Sequence, residues 1–138
     1  MNTQVVRIER DQAKPHSNRD FNFFYEGLKE GKLLVQKCTD CGRVRNPPGP
    51  MCQVCHSLRW SGEVCRGTGT VYSYTIHHHP PLPSFDAPLP VVLVEMSEGH
   101  RMLGTFSTEH IKDIRIGLPV KVEFITRGST ATFRFRPA

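Results

Sequence analysis

The sequence predicts a mainly β protein: an N-terminal helix, then a zinc ribbon, then a five-stranded barrel of the OB type. Three observations lead there. Two Cys-x-x-Cys pairs, Cys38/Cys41 and Cys52/Cys55, stand with ten residues between them, a spacing that sets four thiolates at the tips of two short turns around one tetrahedral ion. A stripe of aromatic residues at helical spacing precedes the first pair. Beyond Trp60 the pattern changes to short period-two runs separated by turn signals.

Composition bounds the rest. The 138 residues, 38% hydrophobic and 22% charged with 11 Pro and 11 Gly, describe a soluble, turn-rich chain with one main domain and a small appendage. No apolar run is long enough to cross a bilayer. The start, Met1 to Arg10, lacks the apolar core of a signal peptide, so a cytoplasmic address without a membrane partner is expected. The net charge of +5 favours anionic partners; a zinc-tetrathiolate cluster takes about two units off it and leaves a modest excess that does not choose between nucleic acid and a phosphorylated cofactor.

Three segments are expected: a loose tail over residues 1–19, a helix and ribbon over 20–59, and a barrel over 60–138. Asp20 is placed to N-cap a helix that runs to Glu30, with Gly31 as its left-handed stop. Phe21, Phe24, Tyr25 and Leu28 form the apolar stripe, and Phe23 widens it. Such a face must be buried. It can pack on the chain's own barrel, but a ribbon and a small barrel offer little surface for four aromatic rings, so part of the stripe is expected to meet another protein.

In the ribbon, Leu33 to Lys37 leads in as a strand. Gly42 after Cys41 suits the left-handed turn of a knuckle, and His56 after Cys55 suits it less well. Pro47, Pro48 and Pro50 stiffen the connection between the knuckles. Lys37, Arg43 and Arg45 lie near enough in sequence to offset the cluster's charge. One structural zinc per chain is expected, held by Cys38, Cys41, Cys52 and Cys55; four sulfurs leave no open position for a catalytic water. A pair of disulfides is the competing reading, and the lack of a secretory context counts against it.

The barrel strands are placed at Trp60 to Cys65 leading through the Gly67 to Gly69 bend into Thr70 to Ile76, then at Pro90 to Met96, Arg101 to Phe106, around Val120 to Phe124 and around Phe133 to Phe135, with Ser97 to His100 as a turn. Thr108 to Ile116 reads as a short helical or irregular connector ended by Gly117. Val120, Val122 and Phe124 are expected inward, against Lys121 and Glu123 outward. A connector before the fourth strand of the barrel favours the OB type over a small β-sandwich.

The loop from His77 to Pro90 has fourteen residues and five prolines. Proline keeps such a segment extended and lowers the entropy lost on binding, which suits a contact arm through His78 and Pro81. Neighbours on a strand point to opposite faces, so His77, His78 and His79 converge on one ion only with a turn; surface contact is expected instead. Cys65 has no pair and reads as a small buried hydrophobe. No nucleophile elbow, phosphate-cradling loop or paired acid marks the chain as an enzyme by itself. Two further readings stay open: a stand-alone thioester enzyme using Cys65 or the histidines, and a single-stranded nucleic-acid binder stacking bases on Tyr72, Tyr74, Phe133 and Phe135, residues that read first as barrel core.

In order, the chain carries Phe21-x-Phe-Phe-Tyr25 with Glu26 and Gly27, Cys38-x-x-Cys41-Gly42, Pro47-Pro48, Cys52-x-x-Cys55, Gly67-x-Gly-Thr-Val-Tyr-Ser-Tyr74, the His-Pro-Pro loop, Ile116-Gly-Leu-Pro-Val120 and Phe133-x-Phe-x-Pro137. Over about residues 20–138 this resembles the zinc-ribbon plus OB-fold family of acyl-CoA-associated proteins, long catalogued as a domain of unknown function. The resemblance implies a helix, a rubredoxin-like ribbon with Cys38, Cys41, Cys52 and Cys55 as zinc ligands, and an OB barrel. It implies an accessory subunit in a hetro-oligomer with a thiolase-fold enzyme, a thiolase or a retro-aldolase of steroid side-chain breakdown, in some relatives bound or fused to an enoyl-CoA hydratase. No catalytic residue transfers. Asn22-Phe23-Phe24-Tyr25 departs from the Phe-Trp that the family often places there. Coenzyme A, which such proteins help hold at the interface, presents phosphates that want Arg or Lys; Arg43, Arg45, Arg59 and Arg66 are the candidates.

Overall fold

A computed structural model describes residues 5–8, 18–83, 85 and 87–138. The helix α1 spans Asn22–Lys29. Its entry is held differently from the expected cap: the Asn18 side-chain oxygen accepts the N–H of Asp20 at 3.0 Å and of Phe21 at 3.1 Å, and Asp20 caps nothing. The exit is as expected. Gly31 takes φ +72°, and the N–H groups of Gly31 and Lys32 close on Leu28 O and Gly27 O.

Strand β1 covers Val5–Ile8. Strands β2 (Leu34–Cys38), β3 (Val44–Arg45) and β4 (Trp60–Val64) form a three-stranded antiparallel sheet with β2 in the middle. Trp60–Val64, expected to open the barrel, therefore completes the ribbon: Cys38 pairs with Trp60 and Leu34 with Val64. The barrel follows as β5 (Thr68–His77), β6 (Leu89–Met96), β7 (Arg101–Phe106), β8 (Pro119–Arg127) and β9 (Thr130–Pro137), with a 3-10 helix at Thr108–Asp113 before β8.

The pairings run β8-β5-β6-β7-β9 and return from β9 to β8, so five strands close on themselves. The closing contact between β7 and β9 is parallel, at Thr105 and Phe106. This ring, with its helical connector before the fourth strand, is the OB barrel, and the β-sandwich alternative falls away. Val5–Ile8 lies within the stretch expected to be a loose tail, yet it runs parallel to β8 with Val5 opposite Phe124. The rest of that expectation, residues 1–4 and 9–17, lies outside the described residues.

One apolar core joins the parts. Val71, Val92, Val94, Phe106, Val120 and Phe135 fill the barrel, and Leu28 of α1 with Leu33 and Val35 of the ribbon belong to the same cluster. The helix is thus a wedge between its own two domains: Phe23 packs tilted against Trp60 at 4.7 Å between ring centroids and Phe24 meets Phe133 edge-on at 5.8 Å. Gly104 lets the rings of β9 lie on bare backbone, since a Cβ there would sit 2.8 Å from Phe135 and 2.9 Å from Phe133.

In β8 the expected alternation fails at Glu123. Glu123, expected in solvent, is only 6% exposed. The cause is its cross-strand partner: Arg134 lies directly opposite and donates from Nε at 2.6 Å, and Arg136 approaches the other oxygen at 3.5 Å. Two long side chains fold over the carboxylate and bury it.

Candidate metal centre and docking cleft

The four expected zinc ligands come together. Cys38 and Cys52 are buried, Cys41 and Cys55 lie at the surface, none is in a disulfide, and the four sulfurs lie within 4.8 Å of one another. The Cys38–Cys55 and Cys41–Cys52 sulfurs are 3.5 and 3.6 Å apart. A tetrahedral zinc with sulfurs at its corners sets roughly 3.8 Å between them, so the cage fits that ion. Each knuckle is closed in the same way, Gly42 N–H to Cys38 O at 2.9 Å and His56 N–H to Cys52 O at 3.0 Å. His56, the less suitable residue, nevertheless takes the left-handed turn at φ +61°, matching Gly42 at +77°.

The turns aim backbone donors at sulfur. The N–H groups of Cys55 and Val54 pull the Cys52 thiol down to about 6, and that of Cys41 lowers Cys38. For Cys55 the Ser57 N–H acts in the same sense, but burial and the three neighbouring sulfurs outweigh it and push the thiol up to about 12. Four sulfurs this close cannot all ionise without a cation among them, and a divalent ion supplies it. Outside the cage, the Ser57 hydroxyl and then Arg59 hold Asp40 below the usual carboxylate range, and Arg59 Nη2 meets Asp40 at 2.7 Å.

The four candidate arginines are unequal. Arg45 is committed inside the ribbon, donating to Gln36 Oε1 at 2.7 Å and Gly49 O at 3.1 Å. Arg59 is tied to Asp40, whereas Arg43 and Arg66 are exposed. Of the charges expected to offset the cluster, Lys37 lies 3.9 Å from Glu63 across β2 and β4.

The aromatic stripe divides between two roles. Leu28 is buried at 4% exposure and Phe23 is spent on Trp60. Phe21, Phe24 and Tyr25 instead form one wall of an apolar cleft of about 600 Å³. Pro47 and Pro48 of the ribbon make a second wall, and Phe85, Leu103 and Phe133 a third, with Arg101 and Asn46 as polar edges. Asn46 donates to the Arg101 carbonyl at 2.9 Å and ties ribbon to barrel beside the cleft.

Sequence reasoning missed the barrel side of this cleft. In Arg101-Met-Leu-Gly both Met102 and Leu103 are apolar, so alternation does not mark Leu103 as the outward one, which it is at 64% exposure. The long loop brings Phe85 into the cleft wall, while His78 and Pro81 are exposed. Tyr72 and Tyr74, read first as core, face out at 46% and 43%; the register of β5 against β6 shifts between the buried Val71 and Ser73. The Arg101 guanidinium covers the Tyr72 ring at 3.6 Å from its centroid. Phe135 is fully buried and Phe133 half-buried, as core.

His77 turns its Nε2 onto the Pro80 carbonyl at 2.6 Å, and His79 is exposed. Cys65 is buried at 7%, and burial, with the Glu98 charge beside it, pushes its thiol up to about 12, the opposite of what an activated nucleophile needs. No helix among the described residues is long and apolar enough to cross a membrane.

Comparison with known proteins falls along the same division. Residues 26–61 match the model of the ChsH2 rubredoxin-like zinc ribbon domain, and residues 63–124 that of the ChsH2 C-terminal OB-fold domain. The chain is similar to a probable enoyl-CoA hydratase alpha subunit of Thermomonospora curvata, 40% identical over 128 residues, and to the 3-oxo-4,17-pregnadiene-20-carboxyl-CoA hydratase alpha subunit of Mycobacterium tuberculosis, 35% identical over 124 residues. These alignments cover 92% and 90% of this chain but only 40% of each relative. A solved structure described as an Ltp2-ChsH2(DUF35) aldolase contains a chain that superposes with a TM-score of 0.84 at 39% identity, covering 90% of this chain and 98% of that one.

Proposed function

The chain belongs to the DUF35 family, in which a ChsH2-type zinc ribbon is joined to an OB-fold domain, and on that premise we propose that it is a non-catalytic accessory subunit of a thiolase-fold acyl-CoA enzyme, a thiolase or a retro-aldolase of steroid side-chain degradation. It acts in the cytoplasm, docks through the cleft, and helps hold the coenzyme A thioester at the interface. The carrying observation is the cleft: three aromatic side chains of α1 face an open apolar space beside Leu103, an arrangement that covers its rings only when a second surface closes it. The solved relative described as an aldolase assembly supports this reading. A four-sulfur cage, closed to water, supports a structural part for the ribbon's zinc.

Co-expression with a thiolase-fold aldolase and co-purification test it. The wild-type pair is expected to elute together and cleave the thioester, while Leu103→Asp, which sets a carboxylate in the apolar wall, weakens association by about tenfold or more. Unchanged association of both Leu103→Asp and Phe24→Ala would remove the cleft from the interface.

The exposed Arg43 and Arg66 are the better of the four candidates for the coenzyme A phosphates. Arg43→Glu and Arg66→Glu, assayed in the assembled complex, are expected to raise KM for the acyl-CoA about tenfold with kcat little changed, the loss of a charge-assisted hydrogen bond. Unaltered KM in both would free the arginines of that role.

The outward Tyr72 and Tyr74 favour a second reading, single-stranded nucleic acid lying along β5. Arg101 already occupies one face of Tyr72, which leaves Tyr74 as the open stacking surface. Oligonucleotide binding with a steep salt dependence would bring that reading forward.

A further inference from the structure

Where the ribbon hands over to the barrel, Cys65, Glu98 and His100 converge, with one potential ligand atom from each within 4.8 Å of the others. Cys65 follows the last residue of β4 and donates its N–H to Leu33 O at 2.8 Å, the final rung of the ribbon sheet. Glu98 and His100 come from the tight turn between β6 and β7, whose Gly99 takes φ +91°. The turn is fixed against the ribbon-to-barrel link by Arg66 N–H on Glu98 Oε1 at 2.7 Å and by Ser97 N–H on Thr68 O at 2.9 Å.

The second carboxylate oxygen of Glu98 is buried and unsatisfied, and His100, 7% exposed, turns its Nε2 to the Cys65 sulfur, a weak partner at 3.8 Å. Buried polar atoms are seldom left this way, and an ion is one of the reasons when they are. We propose that Cys65, Glu98 and His100 form a second divalent-metal site, selective for zinc and separate from the four-cysteine cage.

The donor set and the spacing both suit that ion. One thiolate, one imidazole and one carboxylate are a zinc-type set, with the fourth tetrahedral position left to water or an outside anion. With one sulfur and one nitrogen bound, a tetrahedral zinc spaces them by roughly 3.6 Å; Cys65 Sγ and His100 Nε2 stand 3.8 Å apart. The charges balance as well: thiolate and carboxylate together cancel the two positive charges, so a nearly buried site carries no net charge. On binding, the thiol proton leaves to solvent and a Zn–S bond replaces the S–H. Glu98, half-exposed, gives the ion a way in. Once bound, the metal staples the β6–β7 turn to the end of the ribbon.

Metal analysis of the full chain after dialysis against zinc chloride tests this. The wild type is expected to hold about two equivalents; Cys65→Ser and His100→Gln should each lose one while keeping the ribbon's. Cobalt loaded into the second site should give a thiolate charge-transfer band that disappears in Cys65→Ser. One equivalent in the wild type, or two that persist in both variants, would overturn the site. Anomalous scattering at the zinc edge from wild-type crystals does not depend on how the variants fold: a peak within bonding distance of Cys65 and His100 supports the site, and none at saturating zinc refutes it. Because the accessory-subunit reading needs only the ribbon's own equivalent, failure of the second site leaves that reading untouched.

Discussion

Replacing Cys38 with serine is expected to release the ribbon's zinc and unfold the ribbon, at a cost on the order of 10 kcal/mol to that unit. The reason lies in how little else holds it. Its sheet has a central strand of five residues flanked by one of five and one of two, too small a sheet to be stable without another support. Cys38 is fully buried at the end of the central strand, where one residue joins sheet to cage. Leu33 and Val35 reach into the core shared with the barrel, but the five barrel strands close on one another, so they should outlast the ribbon. Hydrogen exchange reads this directly: amides of residues 34–64 lose protection in Cys38→Ser, and those of β5 to β9 keep theirs. A variant with its ribbon protection intact would mean that packing, and no metal, carries this unit.

Removing the carboxylate of Glu123 should cost the barrel a smaller but still large amount. Glu123→Ala leaves Arg134, whose side chain is 12% exposed, without its partner at 2.6 Å, and Arg136 without its own at 3.5 Å. Breaking a buried pair from one side costs about 3–5 kcal/mol, mostly the uncompensated charge that remains. Replacing both members with apolar residues of similar size, Glu123→Met with Arg134→Leu, should recover much of that loss. Denaturant midpoints at constant slope measure both. A loss below about 1 kcal/mol for Glu123→Ala would place the pair in solvent-like surroundings.

What could be read from the sequence was local, and what could not was set by distant partners. The cysteine knuckles were legible because ligand spacing is chain geometry, and Gly31 and Gly42 marked turns that take positive φ as expected. Strand positions followed from alternation and turn signals. Asp20 read as the cap because it directly precedes the apolar stripe, whereas the capping oxygen comes from Asn18, two positions earlier. Glu123 looked exposed because its burial depends on Arg134, eleven residues away on the next strand. Trp60–Val64 alternates in a way that suits either sheet, and its partner β2 decided the matter. The two tyrosines of β5 read first as core, and the register shift between Val71 and Ser73 where they stand exposed leaves no mark in the sequence. The cleft gathers residues as far apart as Phe21, Pro47, Phe85 and Phe133, so no window of sequence contains it.

One wall of that cleft is Pro47 and Pro48, which sit on the span between the two knuckles. Their position is therefore inherited from the cage. On the proposed docking role, a chain that has not yet taken up its ion would present an unfinished socket, and a partner that recognises the finished one would discriminate between loaded and empty copies. Assembly would then double as an inspection of metal content, made without any residue that senses the metal directly.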